Sequence, residues 1–424
     1  MINPLLCKNT DIPITIIYPL ESKALSVMVL VRTGSRYENE SINGISHFIE
    51  HMLFKSTKKR PNSKLITMDI EMMGGITNAF TSYDFTGYYI KSAAKEFSKS
   101  IEILGDIINN TVFKKDEFIK ERGVILEEIK MYKDRPASRV ALNWKKEFYK
   151  DHPLGRDIAG SIKSVKDLKI EDLENYYTKN YFNSNYVICL AGNVPKSEVV
   201  IKEIQKNFIN QNRINISNDC EKVTNVNPSG VIVEKLDLQQ AHIYMGMEVG
   251  KKEFNKEIES ELLNVIISEG FGSRLFQKLR DEMGIAYYLY SDFTLFDDSG
   301  RMNIGFGTDL KKIEKVIEEV IKELNKLIKC GVTQTELIRA KKYYISKLLF
   351  DTEGSDDLAS WVGINYIENN RLVTMDEVIK KINKLTIQEI NTYINNEFSG
   401  KSLLISILGN IKKDFDNKFS LKLD

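Results

Sequence analysis

Residues 44–57 read GISHFIEHMLFKST. Within them, His47-Phe48-Ile49-Glu50-His51 has the order H-x-x-E-H, a zinc-binding pattern. On a helix, positions 47 and 51 are one turn apart and project from one face. Two imidazoles so placed can both reach one Zn²⁺ at ~2.0–2.1 Å. Glu50 falls on the same face, positioned to hold and deprotonate an attacking water. Ile45, Phe48, Ile49, Met52, Leu53 and Phe54 make the rest of the segment apolar around its circumference, which marks a buried helix. A buried polar stripe needs a partner, and the competing reading is a core helix whose histidines pair with a glutamate. The chain has only four histidines in 424 residues, and two of them fall here.

Working outward, Ile14–Tyr18 and Leu25–Val31 are β-branched apolar runs that predict strands before the motif. The basic run Lys55–Lys64 after it reads as a solvated loop. Gly74-Gly75 then breaks the chain ahead of a strand predicted over Ile76–Ile90, rich in Thr, Phe and Tyr. Ile101, Leu104, Ile107 and Ile108 mark an amphipathic helix, and another runs from about Asp116 to Lys133.

A catalytic zinc takes three protein ligands and keeps one open position. The Asp116–Lys133 segment offers Glu121, Glu127 and Glu128. Phe118, Glu121, Ile125, Glu128 and Tyr132 form one helical stripe, so Glu121 and Glu128 lie on an otherwise apolar face, while Glu127 is about 100° around the axis. A buried carboxylate demands a cation or a metal. A salt bridge between helices would satisfy it equally, so spacing alone leaves the third ligand open.

The chain is also internally duplicated. Leu168–Lys196 (LKIEDLENYYTKNYFNSNYVICLAGNVPK) aligns without a gap with Leu385–Lys413 (LTIQEINTYINNEFSGKSLLISILGNIKK). Each reads as a helix, a turn and a short apolar strand ending in Gly-Asn. A repeat of this length implies two similar domains: 1–210 carrying the metal motif, a polar Asn-rich linker at 211–229, and a homologous 230–424. Strands in runs and helices in pairs predict an α+β architecture, two duplicated α/β sandwich domains with a mixed sheet packed by helices.

A net charge of +1 gives no electrostatic case for nucleic acid or an anionic membrane. No apolar run reaches the length of a membrane span. The start of the chain lacks a basic region followed by an apolar core, so no signal peptide is expected. Cys7, Cys189, Cys220 and Cys330 are widely spaced with no C-x-x-C, which suits a reducing, cytoplasmic setting.

HFIEHMLF, with GGITNAFTSYDFTGYY at Gly74–Tyr89 and ERGVILEEIKM at Glu121–Met131, resembles the pitrilysin/insulysin zinc metallopeptidases over essentially the whole chain. It is most similar to their short two-domain branch, which includes the mitochondrial processing peptidases and their bacterial relatives. The resemblance implies that His47, His51 and Glu128 bind zinc, that Glu50 is the catalytic base, and that Glu121 supports the site from behind. In the second half, FGSRLFQKLRDEMGIAYYLY at Phe271–Tyr290 matches the segment whose Arg and Tyr bind substrate backbone, here Arg280 and Tyr287. That half has no H-x-x-E-H, and at the slightly different repeat offset suggested by Glu117 and Glu336, Lys347 stands at the counterpart of Glu128. The resemblance further implies that an extended peptide substrate adds as a strand beside Asn78 and Ala79. It implies a clam-shaped chamber of four such domains, hence a homodimer or a heterodimer with a homologous chain, with Arg280 and Tyr287 serving the partner's site. The alternative is a non-catalytic scaffold subunit of a heterodimeric peptidase, against which the intact motif argues.

Overall fold

A computed structural model of the chain describes residues 4–8, 12–208, 220–224, 226, 228–411, 415 and 418–424. The fold is α+β: two compact units, each a mixed sheet packed by helices. No helix among the described residues is long and apolar enough to cross a membrane.

The first unit holds a sheet of β1 (Leu5–Cys7), β2 (Ile14–Pro19), β3 (Ala24–Val31), β4 (Ile76–Thr81), β5 (Thr86–Ala93) and β6 (Tyr186–Gly192). Their order is β1-β2-β6-β3-β5-β4, with β2 and β6 parallel and the other pairs antiparallel. The strand expected over Ile76–Ile90 is therefore two strands. Ser82–Phe85 turns between them, closed by the Ser82 amide donating to the Phe85 carbonyl at 2.8 Å. Continuous β-propensity hid the turn, because Tyr83 and Phe85 are core aromatics rather than turn formers.

The second unit repeats the plan with β7 (Gly230–Lys235), β8 (Gln240–Val249), β9 (Tyr288–Leu295), β10 (Gly300–Asp309) and β11 (Leu404–Gly409), in the order β7-β11-β8-β10-β9. The repeated Gly-Asn segments are the central strands β6 and β11. Each pairs in parallel with one neighbour and antiparallel with the other.

The boundaries 1–210 and 230–424 are redrawn by the structure. The first unit comprises Met1–Lys130, Arg156–Glu221 and Leu349–Asp376, and the second Met131–Gly155, Lys222–Leu348 and Glu377–Asp424. Of the expected linker 211–229, residues 211–219, 225 and 227 lie outside the described residues. The reason for the exchange lies in the central strands. β3 and β6 are buried along almost their whole length, so both sheet faces need cover. Ser355–Asn369 supplies it on β3 and β6, although it comes from late in the chain. It approaches so closely that a Cβ on Gly363 would meet Leu30 Cδ1 at 2.6 Å and Cys189 Sγ at 2.7 Å. Pro136–Tyr149 plays the same part on β8 and β11 of the second unit. There the fully buried Trp144 donates its indole N–H to the Leu404 carbonyl at 2.8 Å. Nothing in helical periodicity says which sheet a helix covers.

Candidate metal centre

The motif helix spans Ile45–Leu53. Its N-cap, Gly44, sits at φ 97°, where a Cβ would meet the Ala159 carbonyl oxygen at 2.6 Å. A glycine cap brings no side chain to the first turn. Glu38 takes over that task. Its buried carboxylate accepts the Gly44 amide at 2.7 Å, the Ser46 amide at 2.8 Å and Asn43 Nδ2 at 3.1 Å. Burial pushes the Glu38 carboxyl up to about 7, with the hydrogen bonds from Gly44, Ser46 and Asn43 pulling the other way. The Ser46 hydroxyl is tied to Tyr176 OH at 3.0 Å. No pattern rule marks Glu38; only the lack of a cap ahead of Ile45 hints that one must come from elsewhere.

Ile45, Phe48, Ile49, Met52 and Leu53 are buried and drive the helix into the core. Phe48 stacks on Phe118 at 4.8 Å between ring centroids, which sets the motif helix against the acidic helix Lys115–Lys133. With that contact in place, the acidic helix turns its carboxylates toward the histidines. His51 Nε2 lies 3.6 Å and His47 Nε2 3.8 Å from Glu128 Oε2. Ligand bonds of ~2.0–2.1 Å in a tetrahedron separate donor atoms by about 3.3–3.5 Å, so both histidine–glutamate separations are close to that spacing. Among the described residues, His47, His51 and Glu128 are the one group of three or more such side chains whose donor atoms all lie within 4.8 Å of one another. Burial, and then the neighbouring His51, push the His47 imidazole down to about 3. It is neutral at physiological pH, as a ligand must be. Its Nδ1 is buried with no hydrogen-bond partner among the described residues, while its Nε2 faces Glu128.

The remaining carboxylates take distinct places. Glu121 accepts from His51 Nδ1 at 3.1 Å through Oε2 and from Lys55 Nζ at 2.6 Å through Oε1. Burial alone would raise its carboxyl, but these two partners outweigh it and hold it below the usual range. Glu127 points away, 73% exposed, and pairs with Lys130 at 2.6 Å. Glu127 thus lies off the stripe that Glu121 and Glu128 share, and Tyr132 at the far end of that stripe is exposed rather than buried. Glu50 accepts from the Thr81 hydroxyl at 2.5 Å. Burial raises its carboxyl and the Glu128 charge adds to the rise, while Thr81 and His51 act against it.

Asn78 and Ala79 lie on β4, the end strand of the sheet, beside the motif helix. The expected solvated loop Lys55–Lys64 is a loop as far as Asn62 and exposes Lys58, Lys59 and Lys64, but two of its cations are drawn inward. Lys55 holds Glu121, and Arg60 is buried among Asp69, Glu102 and Asp106 at 2.6–2.8 Å. Composition marked the run as solvent-loving, but buried acceptors on neighbouring helices decide where such side chains go.

Arg280 and Tyr287 belong to the second unit. The Arg280 guanidinium lies over the Phe276 ring at 5.1 Å, and Tyr287 is exposed with its amide bonded to the Gly307 carbonyl. On Phe254–Ile267 of that unit, Glu261, Asn264 and Val265 repeat the spacing of His47, Glu50 and His51. Ser291 on β9 hydrogen-bonds Asn264 as Thr81 on β4 does Glu50. Lys347 pairs with Glu269 at 2.9 Å. The second unit keeps the scaffold and has neither imidazole.

A two-unit α+β fold with one such centre defines a metallopeptidase-like protein. Residues 16–161 match the insulinase family, peptidase family M16, and residues 167–344 match the M16 inactive domain. The chain belongs to peptidase family M16. An uncharacterised zinc protease of Bacillus subtilis is 31% identical over 372 residues, covering 87% of this chain and 89% of that one. One of Rickettsia felis is 32% identical, with 89% and 90% covered. A protease structure from Helicobacter pylori superposes with a TM-score of 0.88 at 23% identity, covering 96% and 99% of the two chains. A putative M16-like peptidase from Alicyclobacillus acidocaldarius does so at 0.83 and 20% identity, covering 96% and 98%.

Proposed function

We propose that the chain is a zinc-dependent endopeptidase that cleaves peptides or extended, unfolded segments of precursors. The observation that carries this reading is the convergence of His47, His51 and Glu128 on one point, with Glu50 held beside them by Thr81. Two imidazoles and one carboxylate are a donor set for zinc with a position left open. Zinc bound there supplies Lewis-acid polarisation of the scissile carbonyl and acidifies water. Glu50 takes the proton from the attacking water and passes it to the leaving amine. Glu121 accepts from His51 Nδ1, which leaves Nε2 as the ligand atom.

The substrate adds as a strand to the outer edge of β4, at Asn78 and Ala79. Main-chain hydrogen bonds then give affinity with little sequence preference. Arg280 and Tyr287 bind the substrate backbone from a second chain, in a homodimer or a heterodimer that encloses a chamber. Membership of M16 and the relatives named zinc proteases support the peptidase reading.

The test is Glu50→Gln. It is expected to keep one zinc per chain and to lose ~10²–10⁴-fold in cleavage of a fluorogenic peptide, the usual range for a lost general base. Loss of the metal, or full turnover, would refute the assignment. A wild-type chain that binds zinc but cleaves nothing, alone or with a homologous partner, would favour the scaffold subunit.

A further inference from the structure

The motif helix ends at Leu53, and the chain turns back so that the Lys55 amide bonds the Met52 carbonyl at 3.0 Å. Lys55 therefore stands one helical turn beyond His51 and on its side. Both side chains meet Glu121, one at each oxygen: His51 Nδ1 at Oε2, 3.1 Å, and Lys55 Nζ at Oε1, 2.6 Å. The Glu121 side chain is only 9% exposed and Lys55 24%. A carboxylate buried to that degree keeps its orientation only while its oxygens are paired. With Oε1 pinned by the ammonium, Oε2 is fixed as an acceptor toward His51. An imidazole that donates from Nδ1 presents a lone pair at Nε2, the nitrogen 3.6 Å from Glu128.

We propose that Lys55 is a positioning residue for the metal centre, acting through Glu121 to hold His51 in the tautomer and ring orientation that ligate. The ammonium does not approach the ligand atoms itself. It also sits at the C-terminal end of the motif helix, where a cation is favoured by the helix dipole. Lys55 thus extends the centre to a chain of three side chains, Lys55–Glu121–His51, anchored beyond the end of the helix that carries the motif.

This inference rests on the zinc reading, and two readouts keep their failures apart. The first needs no metal: long-range ¹H–¹⁵N correlation of the histidine rings in the metal-free protein, where four histidines are readily assigned. Wild type is expected to show His51 protonated at Nδ1, and Lys55→Met a mixture of tautomers. The second is the zinc dissociation constant by competition with a chelator. Lys55→Met is expected to weaken zinc about tenfold, the lower end of the ~10–100-fold range for supports of a ligand. Lys55→Arg, which keeps the cation, is expected to recover most of the loss. In a Glu121→Gln background, Lys55→Met should add less than about twofold, because its route to the metal is already cut. Should Lys55→Met fail to fold by circular dichroism, Lys55→Gln takes its place. An unchanged His51 tautomer and zinc affinity would overturn the proposal. An equal loss with and without the Glu121 carboxylate would do so too. If zinc binds elsewhere, the tautomer still answers for Lys55 while the affinity answers for the zinc reading.

Discussion

Replacing Glu38 is expected to loosen the metal centre from outside it. The residue touches no ligand, yet its carboxylate takes the Gly44 and Ser46 amides at the start of the helix that carries His47, Glu50 and His51. Gly44 has no side chain to stand in, and its left-handed backbone admits none. Glu38→Ala therefore leaves two buried N–H groups, those of Gly44 and Ser46, without their acceptor, while Asn43 Nδ2 keeps its bond to the Asp157 carbonyl at 3.1 Å. Each such orphan costs roughly 1–3 kcal/mol, and a lost N-cap roughly 1–2. The terms overlap because they describe the same bonds, and the helix can fray by one turn to let water in. A net loss of about 2–4 kcal/mol is expected, which lowers protection of the motif-helix amides ~30- to 1,000-fold. Hydrogen exchange read on a peptide covering residues 44–54 measures this directly. Glu38→Gln keeps one acceptor oxygen but turns an amide N–H₂ toward a backbone donor, so it falls between wild type and Ala. Protection within twofold of wild type in Glu38→Ala would sink the capping argument.

Glu128→Gln should weaken zinc far more than Glu127→Gln, because only Glu128 faces the histidines while Glu127 pairs with Lys130 in solvent; competition titration decides, and equal effects would remove the helix-face argument. Completion of the site by a partner chain predicts that Glu50→Gln and Arg280→Ala/Tyr287→Phe chains, each nearly inactive, regain activity on mixing. Random exchange puts about half of the dimers in the mixed form with one working site of two, so roughly a quarter of wild-type cleavage should return. No recovery after exchange verified by native mass spectrometry would reject completion in trans.

How far the centre was legible in the sequence follows from where its information sits. His47, Glu50 and His51 share one helical turn, so periodicity alone puts them on one face. Glu121 and Glu128 share a second helix, and the same arithmetic separates them from Glu127. That Glu128 meets the histidines depends on how the two helices dock, and the Phe48–Phe118 stack that sets this is invisible to periodicity. Lys55 and Glu38 were illegible for a related reason. Their partners lie on other elements or across a turn, and a lysine in a basic run or a glutamate in a polar loop looks solvated until a buried acceptor or donor is placed beside it. The two exchanged helices, Pro136–Tyr149 and Ser355–Asn369, were beyond reach because an amphipathic stripe says that a sheet will be covered and not which one.

The duplicated halves separate what the scaffold requires from what the chemistry requires. In both units a hydroxyl on the end strand hydrogen-bonds the side chain at the fourth position of the motif spacing: Thr81 with Glu50, and Ser291 with Asn264. The two contacts come from different strand positions, Thr81 paired with Thr86 at the end of β4 and Ser291 with Ile304 within β9, so they are alike in kind and not in register. The ligand positions behave differently. His47 and His51 are matched by Glu261 and Val265, and Glu128 by Lys347, whose ammonium pairs with Glu269. A carboxylate, an aliphatic chain and a cation cannot share one zinc, yet the helix still buries Leu262, Leu263 and Ile266 around them, as the motif helix buries Phe48, Ile49 and Met52. Packing of the apolar positions fixes the helix in both units, whatever side chains the motif-spaced positions carry. Zinc is therefore not what holds the first unit's helix in place, and chelation should remove the activity while leaving the fold of that unit intact.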